Sequence, residues 1–131
     1  MLKVSQIAIL TALAASFEIV TVLYVRWFPH TFTDPLRGAV AFAAAIPVGW
    51  MSVRLLQRAA RLLPEQLLAG VCLVGALAMI ADGAILHWAP GLYGPDDTVL
   101  RFASAWLLWG YGVSIAIALS LASAAAKHQP V

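Results

Sequence analysis

Apolar residues fill four long runs of this chain, and polar residues are confined to the short breaks between them. The runs extend approximately over residues 4–28, 36–56, 66–89 and 99–125. Each is long enough to cross a hydrocarbon core as a helix, which takes about 20 residues. None shows the ten-residue alternation of a transmembrane barrel strand, so helices are the elements that can satisfy the backbone inside a bilayer. The pattern predicts an all-α protein, an integral membrane four-helix bundle occupying residues 1–131 as a single membrane domain. Because the breaks are short, it also predicts antiparallel, up-down neighbours.

The breaks carry helix punctuation. Asp34-Pro35 offers an N-cap followed by proline at the first helical position, and Pro64-Glu65 places a proline and an acid in a first turn. Asp96 and Asp97 precede the fourth run, where carboxylates favour a helix N-terminus, and capping is their simplest reading. Lys3 and Ala12-Leu13-Ala14 resemble the charged start and cleavage site of a signal peptide. The apolar run continues beyond them to Phe28, so the first run reads as a retained helix.

Composition strengthens the membrane reading: 63% of residues are hydrophobic and 11% charged, against about half and a quarter in a soluble domain. The formal charge of +2 comes from eight basic and six acidic residues without a basic tract, which argues against nucleic acid as a partner. Cys72 is the single cysteine, excluding an intramolecular disulfide and a cysteine zinc cluster; it reads as a small buried apolar residue. With four spans, Lys3, Arg54, Arg58, Arg61 and Lys127 share one side, and Arg26, Arg37 and Arg101 the other. That bias predicts cytoplasmic termini in a bacterial inner membrane. Arg54, Arg58 and Arg61 read first as a topology signal and second as contacts for anionic headgroups.

Trp27, Trp88 and Tyr93 then fall at the outer interface as an aromatic belt, with Trp106 and Trp109 deeper in the fourth span. In that span Gly112, Ala116, Ser120 and Ala124 form a row of small residues, and Ser114, Ala118, Ala122 and Ala126 form a second. Such rows let helices approach closely, so the fourth helix is expected between two partners, within one bundle or across a homodimer or larger membrane complex.

Two acids interrupt the apolar runs. Glu18 lies near the middle of the first span, where an ionised carboxylate is costly and must face protein or water. Thr11 precedes it by seven residues on one helical face. Asp82 lies in the third span, which runs in the same direction. Counted from the outer ends, Glu18 and Asp82 sit about 15 and 10 Å deep. Pro47 lacks an N–H and frees the carbonyl of Ala43 at a comparable depth in span two. Together these residues suggest a polar pocket in the outer half of the membrane, with Glu18 equally readable as a neutral packing acid. Arg101 can snorkel toward Asp82, with Arg26 and Arg37 as rivals. His87 borders the same region but lies about 140° around the helix from Asp82, which is not a metal-binding pair. Only His30, His87 and His128 occur, so no metal is expected, and no cofactor. No nucleophile stands with a base and no phosphate loop follows a strand, so no enzyme activity is expected.

The third-helix acid in MIADGAILHWAPGLYG and the aromatic fourth helix in RFASAWLLWGYGV resemble a family of small bacterial four-pass membrane proteins of unknown function. The resemblance covers residues 77–117. It maps the family's acid onto Asp82, its turn proline onto Pro90 and its aromatic cluster onto Trp106, Trp109 and Tyr111. Leu77-Ala78 stand where that family carries a Pro-Gly pair. It implies a four-helix membrane fold and no assigned activity. Glu18 alone is similar to the helix-one glutamate of the small multidrug-resistance transporters, which would imply an antiparallel dimer exchanging protons for exported cations. The leading expectation is a non-enzymatic ligand-binding protein or partner subunit, with a proton-coupled transporter as the alternative.

Overall fold

A computed structural model describes residues 1–127; His128 lies outside the described residues. Four long helices, α1 (Val4–Trp27), α3 (Pro35–Ala59), α4 (Pro64–Trp88) and α5 (Asp97–Lys127), are joined by the one-turn α2 (His30–Thr33), a tight loop and the 3₁₀ turn Pro90–Leu92. All four long helices are long and apolar enough to cross a membrane.

Their ends follow from local chemistry. The Asp34 carboxylate accepts from the Arg37 N–H at 2.9 Å, and Asp96 accepts from Thr98 and Val99 at 2.7 and 3.3 Å. Both therefore satisfy N–H groups that the first helical turn leaves without partners. α3 continues three residues beyond the expected Leu56 because a paired hydrogen bond closes it. Leu62 N–H reaches the Gln57 carbonyl at 2.9 Å and Arg61 N–H the Arg58 carbonyl at 3.2 Å. This closure needs a left-handed residue, and Arg61 supplies it at φ 49°.

The same end of the bundle holds a clasp of two buried glutamines. Gln6 and Gln66 each accept from the N–H at the start of their own helix, Lys3 at 2.8 Å and Leu63 at 3.1 Å. The Gln6 amide then donates to the Gln66 side chain at 3.1 Å and to the Ala60 carbonyl at 3.2 Å. Gln66 donates to the Met1 carbonyl at 2.7 Å. One network thus ties the N-terminus to the α3–α4 connection.

Helix direction alternates along the chain, and of the consecutive long helices only α4 and α5 pack extensively on each other. α1 packs on α4 and α3 on α5, both parallel pairs, while α4 against α5 is the extensive antiparallel contact. Short loops fix direction, and close approach fixes partners. A Cβ added at Gly49 would stand 3.2 Å from the Ser114 hydroxyl, so glycine lets α3 seat on α5. Trp106 N–H reaches the Ala41 carbonyl at 3.1 Å, which gives the parallel pair the same offset, 65 residues, as Gly49 and Ser114.

The small-residue rows on α5 divide. Ala118 of the second row is fully buried, whereas Gly112, Ala116, Ser120 and Ala124 are all exposed. The expected grip through that first row is therefore not made within the bundle. Two cores result. One surrounds Leu10, Val53, Leu67 and Ala118; the other surrounds Val25, Phe32, Tyr93 and Leu107. The acids of α1 and α4 fall between them.

Candidate functional site

Asp82 is 4% exposed, and a carboxylate so buried needs hydrogen-bond donors. Two phenols provide them: Tyr93 donates to Oδ1 and Tyr111 to Oδ2. The Tyr93 hydroxyl also lies 3.3 Å from Glu18 Oε1, so one phenol links both acids. Burial, followed by the adjoining Asp82 carboxylate, pushes the Tyr93 phenol well above its ordinary range; it remains a hydroxyl with a hydrogen to donate.

Tyr93 is not the interfacial aromatic expected from the sequence: it is 1% exposed. The Pro90–Leu92 turn folds the chain back over α4, and Arg26 reaches the Gly91 and Leu92 carbonyls at 3.4 and 3.5 Å. Gly94 follows at φ 148°, a backbone conformation open to glycine. The turn thereby aims Tyr93 inward. Trp27 and Trp88, by contrast, are largely exposed at this end.

Beside the cluster lies a cavity of about 560 Å³, within the range of small-molecule sites. All four long helices line it. Small residues make the space: Ala41, Ala45 and Gly49 on α3, Gly75 and Ala78 on α4, and Gly110 on α5. Glu18 and Tyr111 contribute polar groups to its wall, with Ser52 and Ser114 further along. Trp106 and Tyr24 close one end; their rings are 5.7 Å apart, and Phe32 stands edge-on to Trp106 at 5.6 Å.

The pocket expected from depth alone is thus partly assembled and partly dispersed. Glu18 and Asp82 meet through Tyr93. Thr11 is exposed, because α1 packs along Leu10 and Ala14 and the cavity begins only at Phe17. Ala43 is exposed as well. The carbonyls engaged near Pro47 are those of Ala41 and Phe42, the latter taking the Trp109 N–H at 2.9 Å. His87 is exposed, its ring 4.8 Å from that of Trp88. Arg101 is exposed with its guanidinium 5.0 Å from the Phe102 ring, so it does not serve Asp82; the two phenols do. Cys72 is exposed on α4 rather than buried. Among the described residues no cluster of metal-ligating side chains occurs.

Sequence reasoning missed Tyr93 and Tyr111 as partners of Asp82. A signal existed in the requirement itself, since a buried acid without a nearby arginine needs hydroxyl donors, and buried tyrosines need an acceptor. Comparison of the chain with known protein families, with curated proteins and with solved structures finds no match.

Proposed function

We propose that the chain is an integral membrane protein of a bacterial inner membrane, both termini cytoplasmic, which binds a small lipophilic molecule in the cavity beside Glu18 without transforming it. Four apolar helices and the excess of Lys and Arg at the Lys3 end support the topology. The exposed apolar side chains around the bundle, such as Ile19, Val40, Ile80 and Leu108, suit a lipid surround.

One observation carries the binding reading: a largely apolar cavity of about 560 Å³ with a single carboxyl in its wall that is not enclosed as Asp82 is. Apolar space bounded by a few convergent polar groups is the ordinary form of a ligand site. The test is saturable binding of an apolar fluorophore to the full chain in nanodiscs. Ala45→Phe and Gly110→Phe, which fill the cavity from α3 and from α5, should each abolish the saturable component and leave bilayer partitioning unchanged. Binding that survives both would overturn the reading.

A second reading, exchange of a proton for ligand at Glu18, is favoured by the link through Tyr93 to Asp82. It requires ligand-driven proton release that Glu18→Gln abolishes.

A further inference from the structure

The cavity has a length, a mouth and a polar station, and these narrow its occupant. Its α3 wall runs from Ala41 to Leu56, about 22 Å at the helical rise. A slot of that length, walled by alanine, glycine and serine residues, suits an extended molecule lying along the helices.

The mouth is lateral. Val20 on α1 and Val48 on α3 line the cavity, yet they are 63% and 57% exposed. Ala44 also lines it and is exposed. These residues flank the gap between α1 and α3, which make little contact with one another. The opening therefore faces whatever surrounds the bundle at mid-depth, which in a bilayer is lipid. The aromatic end is closed by Trp106, held to α3 by its bond to the Ala41 carbonyl. By the register of α3 with α5, Tyr111 stands level with Ile46, so about 15 Å of slot remains between the polar station and Leu56.

The station asks for a hydrogen-bond donor. Asp82 is enclosed by its two phenols, and Tyr111 spends its hydrogen on Asp82. Glu18 is only half-buried and lines the cavity. A carboxyl offers acceptor lone pairs whether or not it carries a hydrogen. The donor should be neutral, because an ammonium would have to shed its water to pass the apolar mouth, a far larger cost than for a hydroxyl.

We propose that the slot takes a neutral single-chain lipophile sideways from the bilayer, its hydroxyl head donating to Glu18 and its chain lying along Gly49, Ser52 and Ser114 toward Leu56. This rests on the reading of the cavity as a binding site.

The test uses the full chain in nanodiscs and a 1-alkanol bearing a diazirine at its chain end, with the matching alkane and alkylammonium as parallel probes. Irradiation and peptide mapping should give saturable labelling at the Leu56 end of the slot, competed by unlabelled 1-alkanols. The alkane should bind about tenfold more weakly, the loss of one buried hydrogen bond. Glu18→Leu should weaken the alkanol by the same factor, and Glu18→Gln, which keeps an acceptor, should restore it. Should Glu18→Leu fail to fold, the three probes on the unaltered chain decide alone. Equal binding of alkane and alkanol, tighter binding of the alkylammonium, or displacement by a sterol better than by an alkanol would overturn the proposal while leaving the binding site standing. Absence of saturable labelling with every probe would overturn both.

Discussion

Tyr93 and Asp82, eleven residues apart in sequence, meet inside the bundle, where the phenol of a surface turn donates to the carboxylate of a helix interior. The turn is thereby fastened to the site. Tyr93→Phe removes one of two donors to a buried carboxylate and should cost about 1–3 kcal/mol, read as a lowered midpoint of thermal unfolding in detergent. In an Asp82→Asn background, where no charge needs the donor, the same change should cost less than half as much. Equal costs in both backgrounds would separate Tyr93 from Asp82.

The glutamine clasp predicts a similar asymmetry at the opposite end. Gln6→Leu leaves the Lys3 N–H without its acceptor and the Ala60 carbonyl without its side-chain donor and should cost about 1–3 kcal/mol. Replacing both glutamines with leucine removes donor and acceptor together and should cost less than the sum of the single changes. Chemical unfolding of the four variants measures the coupling directly.

Backbone conformation distinguishes Arg61 from Gly94. Arg61 holds a left-handed φ of 49° that L-residues adopt at a cost of about 1 kcal/mol, so Arg61→Gly should stabilise the fold by roughly that amount. Gly94→Ala, at φ 148°, should destabilise by at least about 1 kcal/mol and also mimic Tyr93→Phe, because Gly94 follows the tyrosine it helps to aim. Unfolding midpoints of the two variants should move in opposite directions.

Two helical glycines should also respond oppositely. The nearest atom to a Cβ added at Gly75 is the Met79 methyl at 4.0 Å, so Gly75→Ala should gain about 0.5–1 kcal/mol of helix stability and slightly narrow the cavity. At Gly49 the added carbon meets Ser114 at 3.2 Å and Val113 at 3.4 Å, across a packed helix pair. Gly49→Val should therefore force α3 from α5 and lose stability. Thermal unfolding of both in one detergent checks the ranking.

The spans and the two acids were legible because each depends on a local property: run length for the helices, and an isolated charge within a run for Glu18 and Asp82. What stayed hidden depends on which faces meet. α5 carries two rows of small residues, and nothing along the chain tells that Ala118 turns inward while Gly112 and Ala116 turn out. Thr11 shares a nominal face with Glu18, yet the cavity opens only above it. Tyr93 looked interfacial because it follows the end of an apolar run; its side chain is directed inward by the reversal at Pro90–Leu92. The indole bonds from Trp106 and Trp109 to α3 carbonyls were likewise invisible, since they join residues 65 and 67 positions apart. Gln6 and Gln66, short polar residues at helix starts, gave no sign that they would find one another.

The parallel pairing of α1 with α4 and α3 with α5 has a consequence for biosynthesis. Emerging from the ribosome N-terminus first, α1 must wait for the third long helix before meeting its main partner, and α3 must wait for the fourth. Until Trp106 and Trp109 arrive, the carbonyls of Ala41 and Phe42 beside Pro47 lack their indole donors, and the Gly49 surface has no Ser114 to receive it. The last helix therefore completes one wall of the site and closes the assembly in a single step. A chain arrested before residue 97 would leave α3 without the helix against which it packs.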